Sequence, residues 1–295
     1  MTRRALHPQR RGIVLALVSG ASFGLLPLFA RTAHDHGTGA LTFPLVRFTF
    51  AAIGMFAIRF VAGRRDPLPR GRLFWQLIAL GAVGYAVQSS FYFYGITRID
   101  VSLATVIFYS YPVLVVLASW LVFGHSPTRT MLVSLVIVVA GTVMTAGQVG
   151  TGSVSGTLLM FAASAWYVGY ILVASRVTRH AGSFTSLSLV MVGAAVAYAV
   201  LWPFHRQPFP HDVTGWSAVA GAAFFSTIVA MGFFLEGVRL LRPGTAAVLS
   251  TTEPVVSIGV GVVVYGESIT LVRGLGAALV LVGVVLLAQE RTEAK

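Results

Sequence analysis

Ten stretches of about 20 apolar residues follow one another with little between them, and that spacing leaves the chain few folds outside a bilayer. They fall at about 12–33, 40–61, 73–96, 101–123, 130–148, 156–175, 184–202, 215–238, 245–264 and 271–289. A helix of that length covers the hydrocarbon layer, and a helix satisfies its own backbone N–H and C=O groups. Composition agrees: 56% of the 295 residues are hydrophobic and 10% charged, against about 25% charged in soluble domains. The first stretch follows Arg3, Arg4, Arg10 and Arg11, yet it is too long for a signal-peptide core and lacks a small-x-small cleavage site. It reads as a retained helix. The longest connection, around 202–214, contains WPFHRQPFPHD and suits a surface turn.

The net charge of +12 is topological rather than a nucleic-acid footprint. With the N-terminus inside, inner segments hold 16 of the 21 Lys and Arg residues: four N-terminal, five in 59–72, Arg129, two at 176–179, two at 239–242 and two C-terminal. Outer segments hold Arg31, Arg98, Arg206 and Arg273, and Arg47 lies within the second span. That asymmetry predicts cytoplasmic termini. Cysteine is absent, which removes disulfides and thiolate chemistry. The sole lysine is Lys295, and no GxxxxGK[ST] phosphate loop occurs. No metal or other cofactor is implied; His34-Asp35-His36 reads as a solvated turn.

Gly244–Tyr265 carries a carboxylate and a proline side by side, Glu253 and Pro254, within an apolar span. Proline cannot bond the carbonyl of Ser250, so the helix is expected to loosen there. An acidic side chain at membrane depth faces protein or water. This stretch has an echo 142 residues earlier: Pro112 falls on Pro254 and Tyr111 on Glu253. Without a gap, the same offset pairs Phe91 with Phe233, Gly95 with Gly237, Gly124 with Gly266, Ser126 with Ser268, Thr128 with Thr270 and Gly141 with Gly283. Between 91 and 146 it gives 14 identities, seven of them Val or Ala. Five spans per half is an odd number, so the second half enters from the opposite side. The predicted fold is therefore all-α and polytopic, with ten transmembrane helices as two inverted five-helix repeats around a central cavity. The predicted divisions are a segment 1–11, a first repeat 12–148, a loop 149–155, a second repeat 156–289 and a tail 290–295.

This pattern resembles the EamA-type members of the drug/metabolite transporter superfamily. The resemblance rests on Pro112 and Pro254, the Gly266-Glu267-Ser268 turn, Gly141 and Gly283, and Arg47 in the second span. His125 stands where the first half would carry the acidic turn residue, and Leu189 stands 142 residues after Arg47. Glu267 and Arg47 are therefore read as structural charges without symmetric partners. The aromatic-rich, weakly charged spans look like YddG-type amino-acid exporters, which implies export across a bacterial inner membrane.

Gly81, Tyr85, Gln88, Ser89 and Tyr92 share one face of the third span, either lining a cavity or bonding between helices. Trp166 and Tyr170 lie too deep in the sixth span for interfacial anchors, which leaves cavity lining or packing. Tyr109 and Tyr111 flank the first proline on different faces, so at most one is expected to meet a ligand. Phe23 joins them, with Gly20-x-x-x-Gly24 allowing close helix approach. Thr252 offers a hydrogen bond. Glu253 reads either as a proton or substrate-amine site or as a structural carboxylate paired at the opened helix. Arg47 is expected to snorkel or clamp helices rather than to bind a substrate carboxylate. Pro112 and Pro254 are read as hinges.

The expected function is secondary export of small amphipathic metabolites, foremost neutral or aromatic amino acids, by alternating access. The alternatives are a passive facilitator or channel, or an exporter of other drug-like or metabolite substrates. No charged ring supports a channel, and no His/Asp/Ser constellation or carboxylate pair supports an intramembrane enzyme. The expected partners are a small-molecule substrate and the lipid bilayer, with monomer the simpler state and homodimer open.

Overall fold

The computed structural model describes residues 8–61, 68–96, 98–99, 104, 107–124, 126–146, 153–265 and 270–289. Among these residues the regular structure is helical throughout. The first half contributes α1 (Pro8–Phe23), α2 (Leu26–Asp35), α3 (Thr42–Val61), α4 (Arg72–Ala79), α5 (Ala86–Ile96), α6 (Tyr111–Phe123) and α7 (Arg129–Ala146). The second contributes α8 (Val154–Val177), α9 (Ser183–Leu201), α10 (Val213–Ala223), α11 (Ala230–Leu240), α12 (Pro243–Leu249), α13 (Glu253–Tyr265) and α14 (Leu271–Gln289). Eight continuous helical runs are long and apolar enough to cross a membrane. Two shorter apolar helices, Tyr111–Phe123 and Arg129–Met144, stand where the fourth and fifth spans are predicted. Parts of those two predicted spans, the 149–152 stretch of the loop and Glu267 lie outside the described residues.

The 142-residue offset reappears in helix boundaries. Tyr111 and Phe123 bound α6, and Glu253 and Tyr265 bound α13; α7 begins at Arg129 and α14 at Leu271. Local irregularities repeat too. A π-turn, Leu80–Tyr85, joins α4 to α5, and another, Phe224–Val229, joins α10 to α11. The second proline position is preceded by a 3-10 turn, Ser250–Thr252, which begins at the carbonyl a proline at 254 cannot engage. Both prolines sit in the first turn of an α-helical segment, where a missing N–H costs nothing. Pro112 opens its helix, whereas Pro254 lies inside the continuous run Pro243–Val264, which loosens to a 3-10 turn just before it as the sequence predicts.

The helices pair across the halves. α1 packs on α11, α3 on α9, α5 on α8, α6 on α12, and α7 on α14. Small residues let backbones approach where apolar side chains gain little by leaving lipid. A Cβ on Gly141 would lie 2.6 Å from the Gly276 carbonyl oxygen, and one on Gly283 2.9 Å from the Ser134 carbonyl oxygen. Ser134 and Gly276 are themselves 142 apart, so each helix offers the same patch to the other. The register runs in opposite senses, so α7 and α14 are antiparallel. Gly141→Val is expected to destabilise the fold by about 1–3 kcal/mol through overpacking. A lowered midpoint of thermal unfolding in detergent checks this; an unchanged midpoint would mean that the two helices part freely.

Outside the bundle, the 34–42 and 202–212 connections are tied together. Gln207 Oε1 accepts from the Leu41 N–H at 2.8 Å, and His36 Nδ1 lies 2.6 Å from Asp212 Oδ2. Asp212 caps α10 through the Gly215 N–H, which with His36 holds its carboxyl below the usual range. His36 is thus a partner of Asp212. On the opposite rim Glu236 bonds both Arg11, at 3.3 Å, and Arg239, at 3.1 Å.

Candidate functional site

Four breaks in helices, joined by the intact α3 and α8, meet at one cavity. α1 ends at Phe23, and a turn at Gly24–Leu25 precedes α2, so Phe23 and Leu26 face inward from the break. The first π-turn delivers Tyr85 at its last residue, and α5 follows with Gln88, Ser89, Tyr92 and Phe93. Tyr109 and Tyr111 flank the start of α6, with Phe108 beside them. α8 adds Tyr167, α3 adds Arg47, and the 3-10 turn and α13 add Ser250 and Glu253. The cavity between these side chains is narrow, about 80 Å³.

The wall is a chain of rings. Tyr92 meets Phe108 edge-on at 5.0 Å between centroids, Phe108 stacks on Tyr167 at 5.9 Å, and Tyr167 meets Tyr111 edge-on at 5.0 Å. Such packing fixes the ring planes and leaves hydroxyls at the rim of an apolar surface. Gln88 and Ser89 supply further polar atoms; the Ser89 hydroxyl donates to Gln88 Oε1 at 3.5 Å.

Two opposite charges share this space. Arg47, only 2% exposed, donates from Nε to Thr227 Oγ1 at 2.6 Å and from Nη2 to the Ser226 carbonyl at 2.7 Å. The Thr227 hydroxyl in turn donates to the Ala222 carbonyl at 3.0 Å, and Ser226 Oγ donates to the Ser22 carbonyl at 3.0 Å. Arg47 therefore clamps α3 to the second π-turn, as expected, but it does not snorkel: its length is spent inward. Glu253 stands elsewhere on the lining, with the Tyr109 hydroxyl as its side-chain hydrogen-bond partner. Among the described residues no ion pair joins Arg47 to Glu253.

Of the residues the sequence nominates, Phe23, Tyr85, Gln88, Ser89, Tyr92, Tyr109, Tyr111 and Glu253 come together here. Both tyrosines of FYSYP line the cavity, because Tyr109 and Ser110 form a turn before α6 and a single helical phase does not govern them. Three nominations are corrected. Trp166 lies 40% exposed on the outer surface, and its indole N–H donates to the Val83 and Gly84 carbonyls, each at 3.0 Å. Tyr170 is buried one layer behind the wall, stacked on Tyr167 at 5.9 Å, with its hydroxyl 3.9 Å from Met231 Sδ. Thr252 donates to the Leu17 carbonyl at 3.3 Å, and the 3-10 turn presents Ser250 to the cavity instead. Glu267 lies outside the described residues. Gly20 and Gly24 do meet a neighbour closely: a Cβ on Gly24 would lie 2.7 Å from the Glu253 carbonyl oxygen.

Leu26, Phe93, Phe108, Tyr167 and Ser250 line the cavity without having been nominated by the sequence, and Tyr167 is the one whose periodicity pointed to it. Its signal was present: Ala163, Tyr167, Tyr170 and Ala174 are spaced four, three and four, the stripe of a buried helix face. Trp166 is a step of about 100° away and faces outward.

Membrane-length helices enclosing a cavity walled by rings and holding one cation and one anion are the arrangement of a membrane transporter. Comparison with known sequences gives the same class. The profile described as the EamA-like transporter family matches residues 10–147 and again 154–289. The chain belongs to the EamA-like transporter family. An uncharacterized transporter of Archaeoglobus fulgidus is 23% identical over 94% of this chain and 96% of its own. The uncharacterized inner membrane transporter YedA of Escherichia coli is 22% identical over 90% of this chain and 89% of its own. YwfM of Bacillus subtilis, an uncharacterized transporter, is 25% identical over 72% of this chain and 73% of its own. One solved crystal structure superposes with a TM-score of 0.80 at 19% identity, covering 93% of this chain and 95% of that one, which shows the fold.

Proposed function

We propose that this protein is a secondary transporter that exports neutral, foremost aromatic, amino acids across a bacterial inner membrane, in the manner of YddG-type exporters. One observation carries the substrate class: Arg47 and Glu253 line one cavity together with eight aromatic side chains. A zwitterion presents a carboxylate and an ammonium, and its side chain finds the rings; charge-assisted bonds at both ends orient it. Arg47 holds the second π-turn with part of its donor set, and a guanidinium has five N–H groups to share. Multiply anionic substrates are disfavoured, since one buried cation faces one anion.

Alternating access is the mechanism this reading requires. The supports are the 142-residue repeat, the double family match and the antiparallel α7–α14 pairing. From them we infer ten spans in two inverted halves, 12–148 and 156–289, that rock about the broken elements at Pro112 and Pro254. The arginine bias supports cytoplasmic termini, while export as the direction rests on the resemblance to YddG-type exporters, and one chain is taken as the working unit.

The test is uptake of labelled amino acids into proteoliposomes of the purified protein. Saturable flux of phenylalanine, tryptophan or a neutral aliphatic amino acid is expected, and no flux of any of them removes the substrate assignment. Reporter fusions that place the two termini on opposite sides of the membrane would overturn the topology.

A further inference from the structure

We infer that Trp166, which lies outside the cavity, is a positioning residue for its wall: the indole N–H holds the first π-turn in its wide register and so aims α5 at the cavity. A π-turn accommodates one residue more than the α-helix around it. If that register slipped to α, everything beyond would turn by about 100°. Beyond this π-turn lie Gln88, Ser89 and Tyr92, and Tyr85 ends it.

The Val83 and Gly84 carbonyls of this turn face the outer surface, where lipid offers no donor. Trp166 reaches both at 3.0 Å from the other half of the chain. Its ring packs edge-on against Phe91 at 6.1 Å, a contact a phenyl ring could keep. Only the N–H is particular to tryptophan here.

The second half repeats the arrangement with a different side chain. Gly84 and Ser226 are 142 residues apart and belong to the two π-turns. The Ser226 carbonyl accepts from Arg47 Nη2 at 2.7 Å, again a donor from the opposite half. The same carbonyl is thus held in both halves by unrelated donors. Packing alone does not predict that coincidence; a need to fix the wide register does.

The chain has no cysteine, so Ser89→Cys places a single thiol in the cavity wall. The readout is its rate of modification by a small water-soluble methanethiosulfonate, which requires no substrate and stands apart from the amino-acid assignment. Trp166→Phe is expected to slow labelling about three- to tenfold, the range of one interhelical hydrogen bond in a membrane. Deleting Val83 removes the extra residue, so the turn can close as α-helix with α5 still in phase. In that background Trp166→Phe is expected to change nothing. Equal labelling with and without Trp166→Phe, or slowing that persists in the deletion, overturns the inference. Should Trp166→Phe fail to accumulate as folded protein, deletion of Val83 in the same chain is expected to restore it, and no restoration overturns the inference equally.

Discussion

Glu253→Gln is expected to raise the KM for a zwitterionic aromatic amino acid by about ten- to a hundredfold, the weight of a hydrogen bond to a charged group. Thermal stability should stay close to that of the parent protein. Glutamine keeps the shape and can still accept from the Tyr109 hydroxyl, so the junction of the 3-10 turn and α13 loses no partner. What disappears is the negative charge that would face the substrate ammonium. A deaminated analogue, bearing the same ring and carboxylate, should lose nothing on the same substitution. Concentration-dependent uptake of both compounds into proteoliposomes measures the difference. If the amino acid and its deaminated analogue respond alike, Glu253 does not read the amine and serves only as a structural carboxylate.

Arg47→Leu is expected to damage stability and transport together. The leucine side chain leaves the Ser226 carbonyl without its donor in a buried site, a cost of about 1–3 kcal/mol. It also unfastens α3 from the second π-turn and takes the one cation out of the cavity lining. Transport should fall more than about tenfold, since a loss of 1.4 kcal/mol at the carboxylate alone gives that factor. Arg47→Lys should not restore the parent behaviour, because an ammonium cannot serve two acceptors in the fixed fork geometry of a guanidinium. Thermal unfolding and uptake on the same preparations check both halves of the expectation. Parent-like melting in Arg47→Leu would show that the clamp contributes nothing.

Eight membrane-length helices among the described residues, the duplication and more than half of the lining are legible in the chain. Apolar length is a one-dimensional property, and the bilayer translates it into helices without further information. The duplication was legible because Pro112, Gly124 and Gly141 recur at a constant spacing in residue types that apolar segments do not share by chance. The face holding Tyr85, Gln88, Ser89 and Tyr92 was readable from periodicity, although the π-turn within the same run was not; LGAVGY carries no mark that distinguishes it from an α-helical stretch.

Two causes separate the expected lining from the observed one. The phase of an unbroken α-helix sorts Tyr109 from Tyr111 and Thr252 from Ser250, and depth in the span nominates Trp166 over Tyr167. The first two pairs sit where the helix breaks, and there a side chain points where the turn sends it. Trp166 and Tyr167 sit on an intact helix, where depth does not distinguish the larger ring from the buried stripe beside it.

The sequence alone therefore determined that this protein lives in a membrane, that it is built twice, and that charge is scarce inside it. Each of those follows from residue type and spacing along the chain. Only the tertiary structure decided which aromatic rings enclose space, that Arg47 turns inward to the second π-turn, and that Trp166 serves the wall from outside. Those outcomes depend on where broken helices from opposite halves meet, and a contact between residues more than a hundred positions apart leaves no periodic trace in either segment.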